Sequence, residues 1–193
     1  MKTVWISGLA LALLTAPALA DNKRGFYAGI GTGVVAGRAH TPYDEARMPV
    51  LEFSGGYKYN GLLGVEARVG VGIKEEGDTE SNYFQAEQED NDALTEIERE
   101  VDQFSAIYYR PELTNETARL YGLLGYAEVD TVVTRWEGNA STEQSESVSG
   151  TSYGLGAGWY VNDRLNFNIE YRQLVKTDEQ RFEALTIQWD YRF

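Results

Sequence analysis

Acidic and basic side chains alternate with apolar residues in several stretches of this sequence. In three of them an acid and a base stand two positions apart: Glu66 and Arg68, Glu170 and Arg172, Asp190 and Arg192. Successive side chains of a β-strand point to opposite faces, so both charges of each pair would share one face of one strand. Because buried charges are paired in stable proteins, this arrangement predicts ion pairs on a face shielded from water.

Residues that serve nucleophilic catalysis or metal binding are scarce. The sequence holds no cysteine, and His40 is the single histidine. Catalysis would need a serine and an orienting acid brought to His40 by the fold, and no local motif marks either. Residues 74–100 contain eleven acids against two bases, without the spacing of a calcium-binding loop. The sequence therefore predicts no catalytic residue, metal site or cofactor, and the acidic segment predicts a solvated loop suited to surface recognition.

The first twenty residues differ in character from the rest. Lys2, their only charged residue, precedes an apolar stretch over residues 4–14, and Pro17 and Ala18-Leu19-Ala20 follow it. This is the pattern of a secretory signal peptide, because the apolar stretch is shorter than the ~20 residues that a membrane-spanning helix needs. We expect a mature domain over residues 21–193. It carries 16 basic and 30 acidic side chains, a formal charge of −14, which disfavours nucleic acid as a partner.

Strict alternation of apolar and polar residues indicates β-strands. The apolar lane of the clearest segment consists of Leu63, Val65, Ala67, Val69, Val71 and Ile73, and glycines and charged residues stand between them. Residues 165–172 and 184–193 repeat this period of two. The mean hydropathy of −0.41 excludes a helical membrane protein. It does not exclude a barrel, in which only every second residue faces lipid.

The links between the predicted strands alternate in length. Short links are predicted at Asn60-Gly61, where both residues tolerate positive φ, at residues 111–117 and at residues 162–164. Longer polar links are predicted at residues 36–47, 74–100, 135–149 and 176–181. The strands between them are eight in number: 24–35, 48–59, 62–73, 101–110, 118–133, 151–160, 165–174 and 182–193. Because alternate links of an up-and-down barrel lie at opposite ends, the sequence predicts an all-β fold, an eight-stranded antiparallel transmembrane β-barrel with short periplasmic turns.

The same alternation would fit a soluble barrel or sandwich with its apolar lanes inside. Two features favour the membrane alternative. Glycines stand in the polar lanes, as at Gly154, Gly156 and Gly158, where they would make room for long side chains in a narrow lumen. Aromatic residues lie in or beside apolar lanes, often near segment ends, as interfacial girdles require: Tyr57, Tyr59, Trp159, Tyr171, Trp189 and Tyr191.

The charged residues of the polar lanes would form a network in this lumen. The set comprises six acids and four bases: Glu52, Lys58, Glu66, Arg68, Glu128, Asp130, Glu170, Arg172, Asp190 and Arg192. Eight strands enclose an interior that side chains fill, whereas water-filled pores need about sixteen strands. A salt-bridged plug is therefore the favoured interpretation, and a narrow, low-conductance ion channel is the alternative.

Three segments carry a resemblance to a known family. They are Gly25-Phe26-Tyr27-Ala28-Gly29, Tyr153-Gly154-Leu155-Gly156-Ala157-Gly158-Trp159, and the terminal lane Ile187, Trp189, Tyr191 and Phe193. Over its mature length the chain resembles the small outer-membrane β-barrels of the OmpA/OmpX-like porin family. The resemblance implies a bacterial outer-membrane location, and it implies that the terminal lane is the signal read by the barrel assembly machinery. The last predicted strand ends the sequence, so no peptidoglycan-binding domain is expected.

The resemblance implies the fold better than the activity, because the family includes adhesion and stress-response barrels. We expect a non-catalytic integral outer-membrane protein that serves adhesion or envelope integrity. Its expected partners are outer-membrane lipid and lipopolysaccharide, the barrel assembly machinery, and an extracellular ligand bound through the loops. A small ion channel is the alternative, and a lipid A-modifying enzyme built on His40 is less favoured. Glycosylation-type patterns at Asn115-Glu116-Thr117 and Asn139-Ala140-Ser141 are interpreted as chance.

Overall fold

The computed structural model describes residues 24–38, 45–73, 83–85, 95–137, 140–178 and 180–193. The regular elements of these residues are β-strands: β1 Gly25–Arg38, β2 Glu45–Lys58, β3 Gly64–Gly72, β4 Tyr83–Gln85, β5 Thr95–Tyr109, β6 Glu112–Thr114, β7 Ala118–Glu137, β8 Ala140–Tyr160, β9 Leu165–Lys176 and β10 Arg181–Arg192. Within these ranges no helix is long and apolar enough to cross a membrane. The predicted signal peptide at residues 1–20, His40 and most of the acidic segment lie outside the described residues.

The strands close on themselves as an antiparallel barrel. Each long strand pairs with the long strands that precede and follow it in sequence, including β5 with β7. β10 returns to pair with β1, from Tyr27 opposite Arg192 to Arg38 opposite Arg181. β4 pairs its three residues with residues 96–98 of β5. Closure removes the open sheet edges from the wall and confirms the predicted up-and-down barrel.

The short strand β6 continues β5. Both pair with β7 in one register, with Tyr109 opposite Leu124 and Glu112 opposite Tyr121. Pro111 interrupts the ladder between them because proline has no backbone N–H. The wall therefore has eight strands, as predicted. The predicted link at residues 111–117 is corrected, since its first part is strand and the turn occupies residues 115–117.

The predicted loop at residues 135–149 is wrong. β7 and β8 form an unbroken hairpin from Ala118 opposite Trp159 to Glu137 opposite Ala140, and only residues 138–139 separate the two strands. Residues 142–145 expose their side chains on both faces of β8. A strand with water on both faces needs no apolar lane, so the period-two signal ends before the strand does. β1, β2 and β5 also extend past their predicted bounds at the same end.

Three turns at one end of the barrel, which we call the turn end, share one asparagine arrangement. The Oδ1 atom of Asn60 accepts hydrogen bonds from the backbone N–H groups two and three residues on, both 2.8 Å long. Asn115 and Asn162 accept the equivalent pairs at 2.7 to 2.9 Å. Among the described glycines only Gly25 has a positive φ. The predicted two-residue turn at Asn60-Gly61 is therefore wrong, and the link spans residues 59–63.

Apolar lanes face outward in the middle of the wall. Val65, Val69 and Val71 expose 57%, 54% and 45% of their surface, whereas Glu66 and Arg68 between them are each 1% exposed. A soluble barrel would have the opposite arrangement, so that alternative is wrong. An apolar exterior of this extent is stable against hydrocarbon rather than water.

Aromatic side chains border this apolar exterior toward both ends of the barrel. Near the turn end the rings of Trp159, Phe167 and Trp189 follow one another across three strands, with centroids 6.1 and 5.0 Å apart. Toward the opposite end, which we call the loop end, three exposed tyrosines bond through their hydroxyls to Ser149, Gln173 and Glu183 respectively: Tyr126, Tyr153 and Tyr171. Rings at the apolar surface with hydroxyls bonded to polar groups are typical of membrane interfaces.

The polarity of the lanes reverses toward the loop end. Most inward side chains there are apolar. They belong to one buried cluster, which we call the apolar layer and which extends down to Tyr108 and Tyr121 beside the charged residues: Val35, Ala46, Met48, Val50, Val101, Phe104, Ala106, Tyr108, Tyr121, Leu123, Ala127, Val129, Leu174, Val175, Phe182 and Ala184. Arg47 and Glu128 are exposed on the outer faces of their strands at this level. A wall surrounded by water buries its apolar side chains inside, so the reversal marks where the barrel leaves the membrane.

Replacing Asn60 by alanine should lower the free energy of unfolding by about 1–2 kcal/mol, because two backbone N–H groups lose their acceptor. Urea titration of the folded barrel in detergent measures this loss. Asn60→Asp is the matched control, since its carboxylate keeps an acceptor at the same place. Equal losses in both variants would contradict the role assigned to the side-chain oxygen.

Candidate functional site in the barrel interior and at the loop end

The structure places eight of the ten charged residues predicted for the lumen in the interior. Each of the eight is at most 3% exposed: Glu52, Lys58, Glu66, Arg68, Glu170, Arg172, Asp190 and Arg192. Glu128 and Asp130 lie on the outer face of β7, bonded to Ser147 at 3.0 Å and to Gln103 at 2.9 Å. Their prediction is wrong because it took charged residues as inward along the whole strand, whereas the lanes reverse at this level.

Arg68 holds three carboxylates at the centre of the interior. Its guanidinium donates to Glu52 at 2.7 Å and to Glu170 at 2.6 and 2.9 Å, and a salt bridge joins it to Glu66. Arg172, salt-bridged to Glu52, is the second base of the group. Arg68 is on β3 and Glu170 on β9, four strands apart around the barrel in both directions. The cluster therefore spans the full width of the lumen.

Glu112 forms the centre of a second cluster nearer the turn end. Its carboxylate makes salt bridges with Lys58, with Arg119 at 3.3 Å and with Arg192 at 3.5 Å. Arg119 is also salt-bridged to Asp190. Two amides donate to Asp190 at 2.6 and 2.9 Å: Asn166 and Asn168. This cluster again joins opposite sides of the barrel, because β6 faces β10 across it.

Sequence reasoning missed three charged members of these clusters. Arg110, Glu112 and Arg119 are 3%, 5% and 2% exposed. Glu112 falls in a predicted link, Arg110 ends the least regular predicted strand, and Arg119 stands at the start of another. The signal that could have found them is a spacing of two. Arg110 and Arg119 stand two positions from Tyr108 and Tyr121 respectively, and Glu112 stands two positions after Arg110, across Pro111.

Arg110 lies between two aromatic rings and a carboxylate. Its guanidinium carbon is 3.9 Å from the Tyr121 ring centroid and 5.2 Å from that of Tyr27. A salt bridge joins it to Glu66, to which the Tyr27 hydroxyl also donates at 2.7 Å. Arg110 Nε and one terminal nitrogen make no hydrogen bond, and the ring faces supply a favourable environment for this cation instead.

Glycines in the polar lanes leave the space that these side chains occupy. A β-carbon on Gly156 would stand 2.3 Å from the Tyr121 ring, and one on Gly70 would stand 2.0 Å from the Phe104 ring. Any larger residue would push those rings out of place. At these positions glycine makes room in the lumen, as the sequence predicts.

The charges of the interior are paired with one another. Each of the five buried carboxylates described above has a basic partner within a salt bridge: Glu52, Glu66, Glu112, Glu170 and Asp190. Within the described ranges no group of three histidine, cysteine or acidic residues could hold a metal ion. The chemistry of the lumen is therefore mutual neutralisation.

A second candidate site is the open edge of β8 at the loop end. β8 pairs with β9 only between Tyr153 and Tyr160, whereas its pairing with β7 extends to Ala140. In the part of the chain that the structure describes, residues 140–149 have a strand partner on one side only. At ~3.4 Å per residue this edge is roughly 34 Å long. Gln180 Nε2 donates to the Glu146 side chain at 3.2 Å, and Val148 packs against the apolar layer.

Fold and interior together define the class of protein. A closed ladder, an apolar belt between two aromatic levels and a charge-paired interior are the features of a transmembrane β-barrel. The chain belongs to the family described as outer membrane protein beta-barrel domain, whose profile matches residues 6–193. It is therefore a bacterial outer-membrane protein.

Solved structures of small outer-membrane barrels share this fold. The attachment invasion locus protein Ail of Yersinia pestis is 17% identical, with a TM-score of 0.60, and the match covers 88% of this chain and 99% of Ail. Neisserial surface protein A is 13% identical with a TM-score of 0.54, over 90% of this chain and 100% of that one. No curated protein sequence matches the chain. At these identities the neighbours establish the fold alone.

Replacing Arg68 by leucine should destabilise the barrel by at least about 3 kcal/mol, because three buried carboxylates lose their shared cation. Urea unfolding in detergent or lipid vesicles measures the effect. Lys176→Leu, at an exposed base beyond the end of the apolar belt, is the control and should change stability by less than about 0.5 kcal/mol. A loss in Arg68→Leu as small as that of the control would show that the central cluster is not needed for folding.

Proposed function

We propose that this protein is a non-catalytic cell-surface barrel that binds extended segments of other proteins along the open edge of β8. The observation that carries the proposal is an edge of ten residues beyond the membrane-facing wall, which no second strand covers among the residues that the structure describes. Natural sheets protect such edges with proline, lysine or bulges, because unpaired N–H and C=O groups attract other chains. Residues 140–149 contain no proline and no lysine, and their register with β7 has no bulge.

An extended peptide would bind this edge as an added strand. In an antiparallel strand every second residue directs its N–H and C=O groups away from its neighbour, so about half of the ten residues offer both groups. Main-chain hydrogen bonds then supply affinity, and side chains on alternate positions supply specificity. Glu143 and Glu146 give the edge a negative charge, which favours segments that carry lysine or arginine.

The orientation of the barrel supports a surface role. Outer-membrane barrels place their long loops outside the cell, and the β8 edge lies at the end that carries the longer links. The Yersinia neighbour is an attachment protein by name, and a second structure of it contains the heparin analogue sucrose octasulfate. Residues 74–100 of this chain carry a formal charge of −9, so we infer that it binds protein segments rather than polyanionic sugars.

Shortening the β7–β8 hairpin tests whether the β8 edge is the binding site. Residues 133–137 lie opposite residues 140–144, so deleting both sets removes half of the edge while preserving the remaining register. Bacteria that produce the shortened protein should adhere to cultured epithelial cells no better than bacteria that lack it. Counting adherent bacteria, with the amount of surface protein measured in parallel by labelling, gives the result.

The matched control keeps the backbone and changes the side chains. The double variant Glu143→Gln and Glu146→Gln retains the edge, and it should keep most of the adherence if the main chain supplies the affinity. Wild-type adherence by the shortened protein, present at the surface in normal amount, would rule out the β8 edge as the binding site.

We further propose that the lumen does not conduct ions. The cluster around Arg68 spans the interior, and the apolar layer lies between it and the loop end. Phe104, Leu123 and Phe182 of that layer are each at most 2% exposed. An ion would have to displace paired charges and then cross a layer of mainly apolar side chains, so a plug is favoured over the channel alternative.

Planar-bilayer recording tests this closure. The purified barrel should produce no reproducible unitary conductance under conditions in which a general porin, added as the control, gives clear steps. A unitary conductance that changes with Glu66→Gln or with Arg68→Leu would establish the low-conductance channel instead, because both residues line the path that ions would take.

Three other expectations stay predictions. The absence of catalysis is supported by the neutralised carboxylates of the interior, whereas His40 lies outside the described residues. Contacts with lipopolysaccharide follow from the outer-membrane location. Ile187, Trp189 and Tyr191 form an outward lane of β10 beside β1, and recognition of that lane and Phe193 by the assembly machinery is inferred from the family.

A further inference from the structure

The outer wall is indented beside Pro111, near the turn end. This indentation, which we call the Pro111 notch, has a volume of about 370 Å³ and an almost entirely apolar lining. Four leucines contribute to it, and each is more than 60% exposed: Leu62, Leu113, Leu120 and Leu155. Pro111 and Gly122 lie between them in the wall. The notch therefore belongs to the same outer surface as the apolar belt.

The notch exists because proline faces glycine across the ladder. The common register of β5 and β6 on β7 places Pro111 opposite Gly122. The Gly122 N–H donates to the Pro111 carbonyl at 3.0 Å, but Pro111 has no N–H to donate in return. A β-carbon on Gly122 would meet only the proline ring, at 3.6 Å. The wall is thus thin at this pair while the surrounding positions carry large side chains.

We propose that the Pro111 notch binds one acyl chain of a glycerophospholipid. Hydrocarbon already surrounds the apolar belt, so the hydrophobic effect does not distinguish the notch from the rest of the wall. Van der Waals packing does distinguish the notch, because association within a bilayer depends on it. A concave surface gives a methylene chain more neighbouring atoms than a convex one. The four leucines supply side walls for such a chain.

The position of the notch selects the class of lipid. It lies at the turn end, which is the periplasmic end in the orientation proposed above, and the periplasmic leaflet of the outer membrane consists of glycerophospholipid rather than lipopolysaccharide. The ligand is therefore a phospholipid held through its acyl chain. This choice of leaflet rests on the proposed orientation, whereas the presence of an acyl-chain site rests on the notch alone.

Filling the notch tests the proposal. Gly122→Leu places a side chain in the open space. Gly55→Leu is the matched control, because Gly55 is on the outer lane of β2 and a β-carbon there meets nothing within 4 Å. Each barrel is reconstituted in nanodiscs of palmitoyl-oleoyl phosphatidylethanolamine and released for native mass spectrometry. The wild type and Gly55→Leu should retain one phospholipid, and Gly122→Leu should retain at least about fivefold less. Equal retention by all three proteins would overturn the proposal.

A second measurement needs no variant, so it stands even if Gly122→Leu fails to fold. The wild-type barrel is reconstituted with a phospholipid that carries a photoreactive diazirine in its acyl chain, and the crosslinked residues are mapped. Labelling should concentrate on Leu113, Leu120 and Leu155 over other exposed side chains of the wall, such as Val65, by more than their difference in exposed surface explains. Equal labelling of the leucines and the other exposed side chains would show that only the surrounding bulk lipid contacts the wall, and it would overturn the proposal.

Two further measurements distinguish a phospholipid from other molecules that could fill the notch. Stronger labelling of the notch by a diazirine-bearing lipid A than by the phospholipid would overturn the choice of leaflet. A dimer in native mass spectra that carries no lipid, with crosslinks between two copies of Leu113, would overturn the lipid proposal in favour of an interface between two chains.

Discussion

The pairing of β1 with β10 is the interaction on which the rest of the structure depends. In hydrocarbon no water can satisfy a backbone N–H or C=O group, and each unpaired group costs several kcal/mol, so a sheet must close before it can span a membrane. Closure forces successive side chains of every strand to face lipid and lumen in turn. The apolar belt, the buried charges and the interior glycines all follow from that division.

The buried charges of the lumen depend on closure of the sheet. Ion pairs removed from water add little net stability, but loss of one partner leaves a costly uncompensated charge. Arg68 and Glu170 join strands on opposite sides of the barrel, so their contact forms only when the sheet has closed in the correct register. Arg110 and Glu112 flank the ladder break at Pro111, and their interior ion pairs hold the strand where a backbone hydrogen bond is missing. The same break produces the Pro111 notch on the outer face.

The same strands are surrounded by lipid in one part of their length and by water in another. Within the membrane the apolar side chains point outward, and beyond it they point inward and form most of the apolar layer. Water also relaxes the need for closure, since it can bond to the free groups of an edge. Among the described residues β8 can therefore extend with a strand partner on one side only at the loop end, while its other half pairs with both β7 and β9.

Local covalent geometry explains the features that could be predicted from the residues alone: the strand lanes, the count of eight, the outer-membrane class and eight buried charges. Side-chain alternation is built into every strand, and turn residues such as Asn162 act within a few positions. The folded barrel was needed to show whether water or lipid surrounds each level of the wall. It placed Glu128 and Asp130 on the outer face of β7 and extended β8 beyond its predicted bounds. It also decided which charges meet across the lumen, brought Glu112 inward and opened the notch between Pro111 and Gly122. These features depend on register and closure between distant strands, which no spacing along a single strand specifies.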